Sequence, residues 1–240
     1  MPLFSPQIPL PLEPRRADRF EDFVPGPNAA VLAGVQALLD EPGAFVFLSG
    51  PEGSGKSHLL NALCNAARSS GLAAFYVALK RLPPEAASGL EDLEKLDLVC
   101  VDDLDRIAGN PDWEEALFKG FNAVRAAQGR LLVSSRQPLA SLPIGLPDLA
   151  SRLAWGVRLT LQVPAEEDKL SILRQHARAL RIHLPEDVAR YLLTHGRRDM
   201  ASLLTALERI KDAAFSDKRR ITVPLARRVL SAGPGDIPQA

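Results

Sequence analysis

Gly50-Pro51-Glu52-Gly53-Ser54-Gly55-Lys56-Ser57 constrains this chain more than any other stretch, because it spells G-x-x-x-x-G-K-[ST] directly after the apolar run Ala44-Phe45-Val46-Phe47-Leu48. A strand that feeds a glycine-rich turn and then an amphipathic helix is the setting in which this spacing cradles phosphates. The glycines let backbone N–H groups converge, and the helix that begins near Lys56 and His58 adds its positive dipole end. A polyphosphate fits there. Lys56 then meets the terminal phosphates as a point charge, and the Ser57 hydroxyl ligates a Mg²⁺ that bridges them. Pro51, Glu52, Gly53, Ser54 and Gly55 supply the wall of the cradle. The plainer reading is a glycine-rich turn at a strand–helix junction.

Downstream, Leu98-Val99-Cys100-Val101 reads as a buried strand that ends in Asp102-Asp103. A carboxylate at the carboxyl tip of a parallel strand beside the phosphate strand can hold the Mg²⁺ water shell, which assigns that role to Asp102. Asp103 then orients or deprotonates an attacking water. Two acids that merely close a strand in solvent are the alternative. A further strand, Arg130 to Ser135, ends in small polar residues, and Ser135 is placed to sense a terminal phosphate or to act as an ordinary cap. Phe23 and Val24, upstream of the phosphate strand, suit packing against a base, although aromatics there are commonly core. Arg197 and Arg198 precede a later helix, where a guanidinium swings onto phosphates or stays solvated.

Apolar periodicity predicts a helix over 28–39, one from Lys56 to about Ser69 stopped by Gly71, and a strand over 74–79. A short helix falls in the Lys80 to Lys95 connection. Asp112-Trp113-Glu114-Glu115 opens a helix with capping-box-like spacing, 148–153 forms a short one, and 157–161 is the last strand. Strands alternating with helices predict an α/β fold, an open parallel sheet flanked by helices with its ligand at the carboxyl ends. From Glu166 onward the pattern is helical only, with Pro185 in the first turn of the second helix and a third over 200–215. The expected divisions are a tail over 1–19, the α/β domain over 20–164 and a small α-helical lid over 165–240.

The 29 basic and 29 acidic residues cancel, which argues against tight DNA or membrane binding through overall charge and leaves local basic patches open. Cys64 and Cys100 lie in apolar stretches and read as buried reduced thiols, which suits a cytoplasmic protein. No apolar run approaches a membrane span, and no secretion signal opens the chain. The proline-rich tail contains Gln7-Ile8-Pro9-Leu10-Pro11-Leu12, whose prolines pre-set an extended backbone that presents Leu10 and Leu12. A docking peptide and a solvated tail are equally consistent with that spacing.

Phosphate loop, Val-Asp-Asp strand, polar strand tip, Ser-Arg-Leu helix and helical lid come in the order used by AAA+ ATPases. More narrowly, Gly-Ser-Gly-Lys-Ser-His-Leu-Leu-Asn-Ala, Leu-Val-Cys-Val-Asp-Asp, Gly-Leu-Pro-Asp-Leu-Ala-Ser-Arg-Leu and Glu-Asp-Lys-Leu resemble the DnaA-like family of replication proteins, its short regulatory members included. The resemblance implies that Arg152 is an arginine finger, that Arg198 is a second sensor, and that Ser135 stands where DnaA commonly has an aspartate. It also implies that Gln7, Leu10 and Leu12 bind the β sliding clamp of DNA polymerase III. The partners are then DnaA and the clamp, with DNA reached indirectly, and the cofactors ADP or ATP with Mg²⁺. A homo-oligomer stays open. The expected activity is promotion of hydrolysis of DnaA-bound ATP, with weak intrinsic turnover. Alternatives are a self-cycling AAA+ ATPase of the helicase-loader or remodelling type and a clamp-tethered adaptor. No helix-turn-helix domain follows the lid, so autonomous origin binding is not expected.

Overall fold

The computed structural model describes residues 18–83, 93–197 and 199–231. The strands are β1 (Phe45–Ser49), β2 (Ala74–Ala78), β3 (Leu98–Asp102), β4 (Arg130–Ser135) and β5 (Val157–Thr160). They form one five-stranded sheet in the order β2-β3-β4-β1-β5, and every neighbouring pair is parallel. Helix α1 (Ala29–Gln36) precedes β1, and α2 (Lys56–Ser69), α3 (Pro111–Ala126) and α4 (Pro147–Leu153) run between the strands. Then come α5 (Glu166–Ala179), α6 (Glu186–His195), α7 (Met200–Ser216) and α8 (Val223–Ser231).

The chain forms two compact units. The first holds the sheet with α1 to α4, and the second gathers 21–28, 52–54 and the residues from Gln162 on. In the α/β unit, β1, β3 and β4 are buried along their whole length, which explains their near-continuous apolar text. Phe45, Phe47, Val99, Val101, Leu131 and Val133 pack on Trp113, Phe121 and Val124 of α3 and on Leu149 and Leu153 of α4. Each such side chain contributes about 1.5–3 kcal/mol on burial. Helix α2 covers β2, β3 and β4, with Leu59, Leu60, Leu63 and Cys64 fully buried. The helical unit has its own core of Leu173, Val188, Leu192, Leu203, Leu207, Ile210 and Val229. No helix among the described residues is long and apolar enough to cross a membrane.

Local details differ from the sequence expectation in three places. The helix predicted over 28–39 ends at Gln36 and continues as a 3-10 turn over Ala37–Leu39. Helix α3 is capped by Asn110, whose side chain accepts from the N–H groups of Asp112 and Trp113, with Pro111 in the first turn. Glu115 pairs forward with Lys119 and does not reach back to Asp112, so the capping box is absent there. Pro185 is the N-cap of α6, one residue outside the helix. The short helix expected in the Lys80 to Lys95 connection lies mostly outside the described residues, as does the tail with Gln7, Leu10 and Leu12.

Candidate nucleotide-binding site

Strand β1 runs into the phosphate loop at the carboxyl edge of the sheet, and α2 starts at Lys56. The turn needs glycine at two points, Gly53 with φ 79° and Gly55 with φ 99°, both left-handed backbone. Lys56 is buried, and its Nζ donates to the carbonyls of Gly50 at 2.6 Å and Pro51 at 2.9 Å. Burial lowers its pKa from the usual lysine range, and the carboxylates of Asp102, Asp103 and Asp105 oppose that shift. The Ser54 hydroxyl is buried without a hydrogen-bond partner. A loop with an orphaned hydroxyl and an ammonium that, among the described residues, donates to the loop's own carbonyls alone fits a polyphosphate, whose oxygens would satisfy both.

Asp102 is 0% exposed at the end of β3. Tyr76 donates its phenol to one carboxylate oxygen at 2.9 Å, and the Ser134 hydroxyl donates to the other. Ser134 in turn accepts from the N–H of Asp103 at 3.1 Å. Burial, then the Asp102 charge, pushes the Tyr76 phenol well above its usual range, so it stays a donor. Asp103 occupies left-handed backbone at φ 63°, and its carboxylate lies 2.7 Å from the Lys80 ammonium. Ser57 is half-buried at the first turn of α2. Ser57 and Asp102 each offer a hard oxygen donor, and that chemistry fits Mg²⁺, which keeps several waters and takes few protein ligands.

Ser135 is fully buried, accepts from the N–H of Gln137 at 3.1 Å and reaches Asp105 at 3.5 Å. Its neighbour Ser134, which the sequence did not single out, is the serine that meets Asp102. His58 bonds the Arg19 carbonyl at 2.8 Å and stands 3.6 Å from Asp18, so it ties the preceding segment to α2. Phe23 and Val24 are partly buried and belong to the helical unit. Arg198 lies outside the described residues.

Arg152 sits in the last turn of α4 with its guanidinium 4.1 Å from the ring centroid of Trp155, and Arg125 approaches the same ring at 4.9 Å. Among the described residues no carboxylate pairs with Arg152. Trp155 is 53% exposed and Val157 61%, so apolar surface flanks the arginine. The chain turns here on Gly156, where a Cβ would come within 2.5 Å of the Phe45 ring, and Phe45 is fixed edge-on to Phe121. The end of α4 is thereby anchored to the core.

A parallel sheet in this order, with a phosphate loop after β1 and two carboxylates at the tip of β3, which the inserted strand β4 separates from β1 although the sequence reading sets the two side by side, followed by a helical unit, defines an AAA+ module. Residues 15–160 match the family of the bacterial DnaA ATPase domain, and residues 166–230 match the Hda lid domain. The chain belongs to the bacterial DnaA ATPase family and carries an Hda-type lid, which relates it to replication initiation. Domain III of the Thermotoga maritima replication initiation protein DnaA is similar, with a TM-score of 0.79 at 24% identity over 92% of this chain and 97% of that one. DnaA from Aquifex aeolicus bound to AMPPCP gives 0.70 at 20% over 85% of this chain and 68% of that one. The Thermotoga maritima RuvB Holliday junction branch migration motor gives 0.65 at 18%, over 89% and 71%.

Proposed function

We propose that the chain is a nucleotide-dependent regulator of replication initiation that promotes hydrolysis of DnaA-bound ATP and so inactivates DnaA. The observation that carries this reading is Arg152, an arginine without a carboxylate partner among the described residues, held on an exposed tryptophan beside apolar surface. A guanidinium presented in this way is suited to enter a nucleotide held by another subunit, where it stabilises charge developing on the transferred phosphoryl group. Trp155 and Val157 would cover the contact and exclude water from it. The tail would dock on the β sliding clamp through Gln7, Leu10 and Leu12 and bring the chain to DnaA on DNA. Self-association into a homo-oligomer is compatible with the same surface.

The chain's own ADP or ATP would sit on the loop from Pro51 to Ser57, with Lys56 on the terminal phosphates, Phe23 and Val24 toward the base, and Arg198 as a second sensor. Ser57 and Asp102 would hold Mg²⁺, which neutralises phosphate charge when bound. Tyr76 and Ser134 fix the orientation of Asp102, so its carboxylate enters that role already ordered. This bound nucleotide serves conformation more than turnover, because Lys80 pairs with the carboxylate of Asp103 that would otherwise orient or deprotonate water. The AMPPCP-bound Aquifex aeolicus protein of the same fold supports a nucleotide on the loop.

Lys80→Ala is therefore expected to raise intrinsic ATP hydrolysis by about 10²-fold, the low end of the scale for a freed general base. Steady-state phosphate release by the isolated chain measures it. An unchanged rate would remove Lys80 as the brake, and rapid turnover already in the wild type would favour the self-cycling ATPase instead.

Hydrolysis of DnaA-bound ATP, with clamp loaded on DNA, tests the regulatory reading directly. Addition of the chain should accelerate it, and a Gln7/Leu10/Leu12→Ala variant should lose most of that effect while keeping nucleotide binding. No acceleration by a chain that binds the clamp would end the proposal.

A further inference from the structure

The helical unit carries a groove that the nucleotide site does not use. It measures about 780 Å³ and is lined by Ile182, Pro185 and Ile221 on its apolar floor and by Lys211, Lys218, Arg219 and Arg220 around it. No carboxylate lines it. Lys211 pairs with Asp212, and Asp217 is engaged by Arg228, whereas Lys218, Arg219 and Arg220 meet no carboxylate among the described residues. Phe215, also part of the lining, is 86% exposed at the end of α7. An aromatic ring left in water beside consecutive unpaired cations is costly surface, and the backbone adds to the cost.

Lys218 closes α7 in left-handed conformation at φ 50°, a position where glycine is the default. Holding a lysine there costs about 1 kcal/mol, and what the position gains is a cation at the groove rim. The N–H of Arg219 bonds back to the carbonyl of Ala214 at 2.9 Å, so the turn that presents these cations is tied to the helix that presents the ring.

We infer that this groove binds single-stranded nucleic acid, with Lys218, Arg219 and Arg220 on successive phosphates and a base stacked on Phe215. Regularly spaced phosphates match a run of cations with no acceptor among them, and the free ring face matches the one group that every nucleotide carries. A concave site with its aromatic at the rim suits a strand and not a flat lipid surface. An acidic peptide would satisfy the cations and leave the ring without a stacking partner. Neither the phosphate loop nor Arg152 takes part in this groove, so strand binding here and the regulatory activity are separable.

The test uses the full chain and a fluorescein-labelled oligo-dT of about 15 nucleotides, near the upper site size of single-strand binders, read by anisotropy. Binding should weaken about 20- to 50-fold between 50 and 200 mM salt, as expected for three to four neutralised phosphates on a single strand. Phe215→Ala should weaken it about 5- to 150-fold through the lost stack. Lys218→Gly is the decisive variant. It relieves the left-handed backbone, so the melting temperature should hold or rise while affinity for oligo-dT falls severalfold. Unchanged affinity in both variants would overturn the inference. So would retention of a poly-glutamate peptide or of anionic phospholipid vesicles through these residues when oligo-dT is not retained.

Discussion

Arg152→Ala is expected to reduce the stimulated hydrolysis of DnaA-bound ATP by about 10³-fold or more, the lower end of what a finger of this kind supplies. The reason lies in what Arg152 does not do in its own chain. It pairs with no carboxylate among the described residues, and its stacking on Trp155 is an exposed cation–π contact worth about 0.5–1 kcal/mol. Its removal should therefore leave the melting temperature within about 2 °C, the shift that a loss below 1 kcal/mol produces in a chain of this size. Arg152→Lys should fail nearly as badly, because an ammonium lacks the planar fork that spans two phosphate oxygens. Trp155→Ala should lower the stimulated rate only about two- to fivefold, in line with a lost cation–π restraint. Single-turnover hydrolysis of ATP pre-bound to DnaA separates these variants, and full stimulation by Arg152→Ala would sink the finger assignment.

Glu114→Gln should destabilise the α/β unit by about 3 kcal/mol, for a carboxylate in the first turns of α3 organises three backbone donors. Its Oε1 accepts from Gly109 at 2.6 Å and from Gly145 at 3.1 Å, and its Oε2 accepts from Leu146 at 2.7 Å. Glu114 is buried, so water does not replace a lost acceptor. Glutamine keeps the shape but turns an N–H₂ group toward an N–H group whichever way the amide is oriented. Leu146 is the N-cap of α4, which carries Arg152 in its last turn, so the loss is transmitted to that side chain. A fall of about 6–12 °C in melting temperature is the expected reading. A shift below about 2 °C, under 1 kcal/mol for a chain of this size, would mean that the loop before α4 finds other acceptors.

The strands were legible because β1, β3 and β4 are buried on both faces and their sequences are apolar without alternation. The phosphate loop was legible because its glycines and lysine are adjacent in the chain. What holds Asp102 was not. Tyr76, Ser134 and Asp102 come from three strands, and only the parallel register, with Ala78 beside Asp102 and Val101 beside Val133, brings them together. The choice between Ser134 and Ser135 is a choice between the two faces of β4, which a short polar pair at a strand end does not reveal. Lys80 and Glu114 were similarly hidden, as each acts on a partner fixed by tertiary structure. The cap of α3 was misplaced by two residues because Asn110 and Asp112 both suit an N-cap, and Pro111 decides in favour of Asn110.

Cys64 on α2 and Cys100 on β3 are both 0% exposed and are the chain's only cysteines. Burial, with Cys64 beside it, keeps the Cys100 thiol protonated far above the usual thiol range. A thiol reagent consequently waits for the sheet to part from α2, and fraying of the helical unit goes unseen by it. The pair works as a native chemical clock, whose labelling rate counts openings of the α/β unit alone.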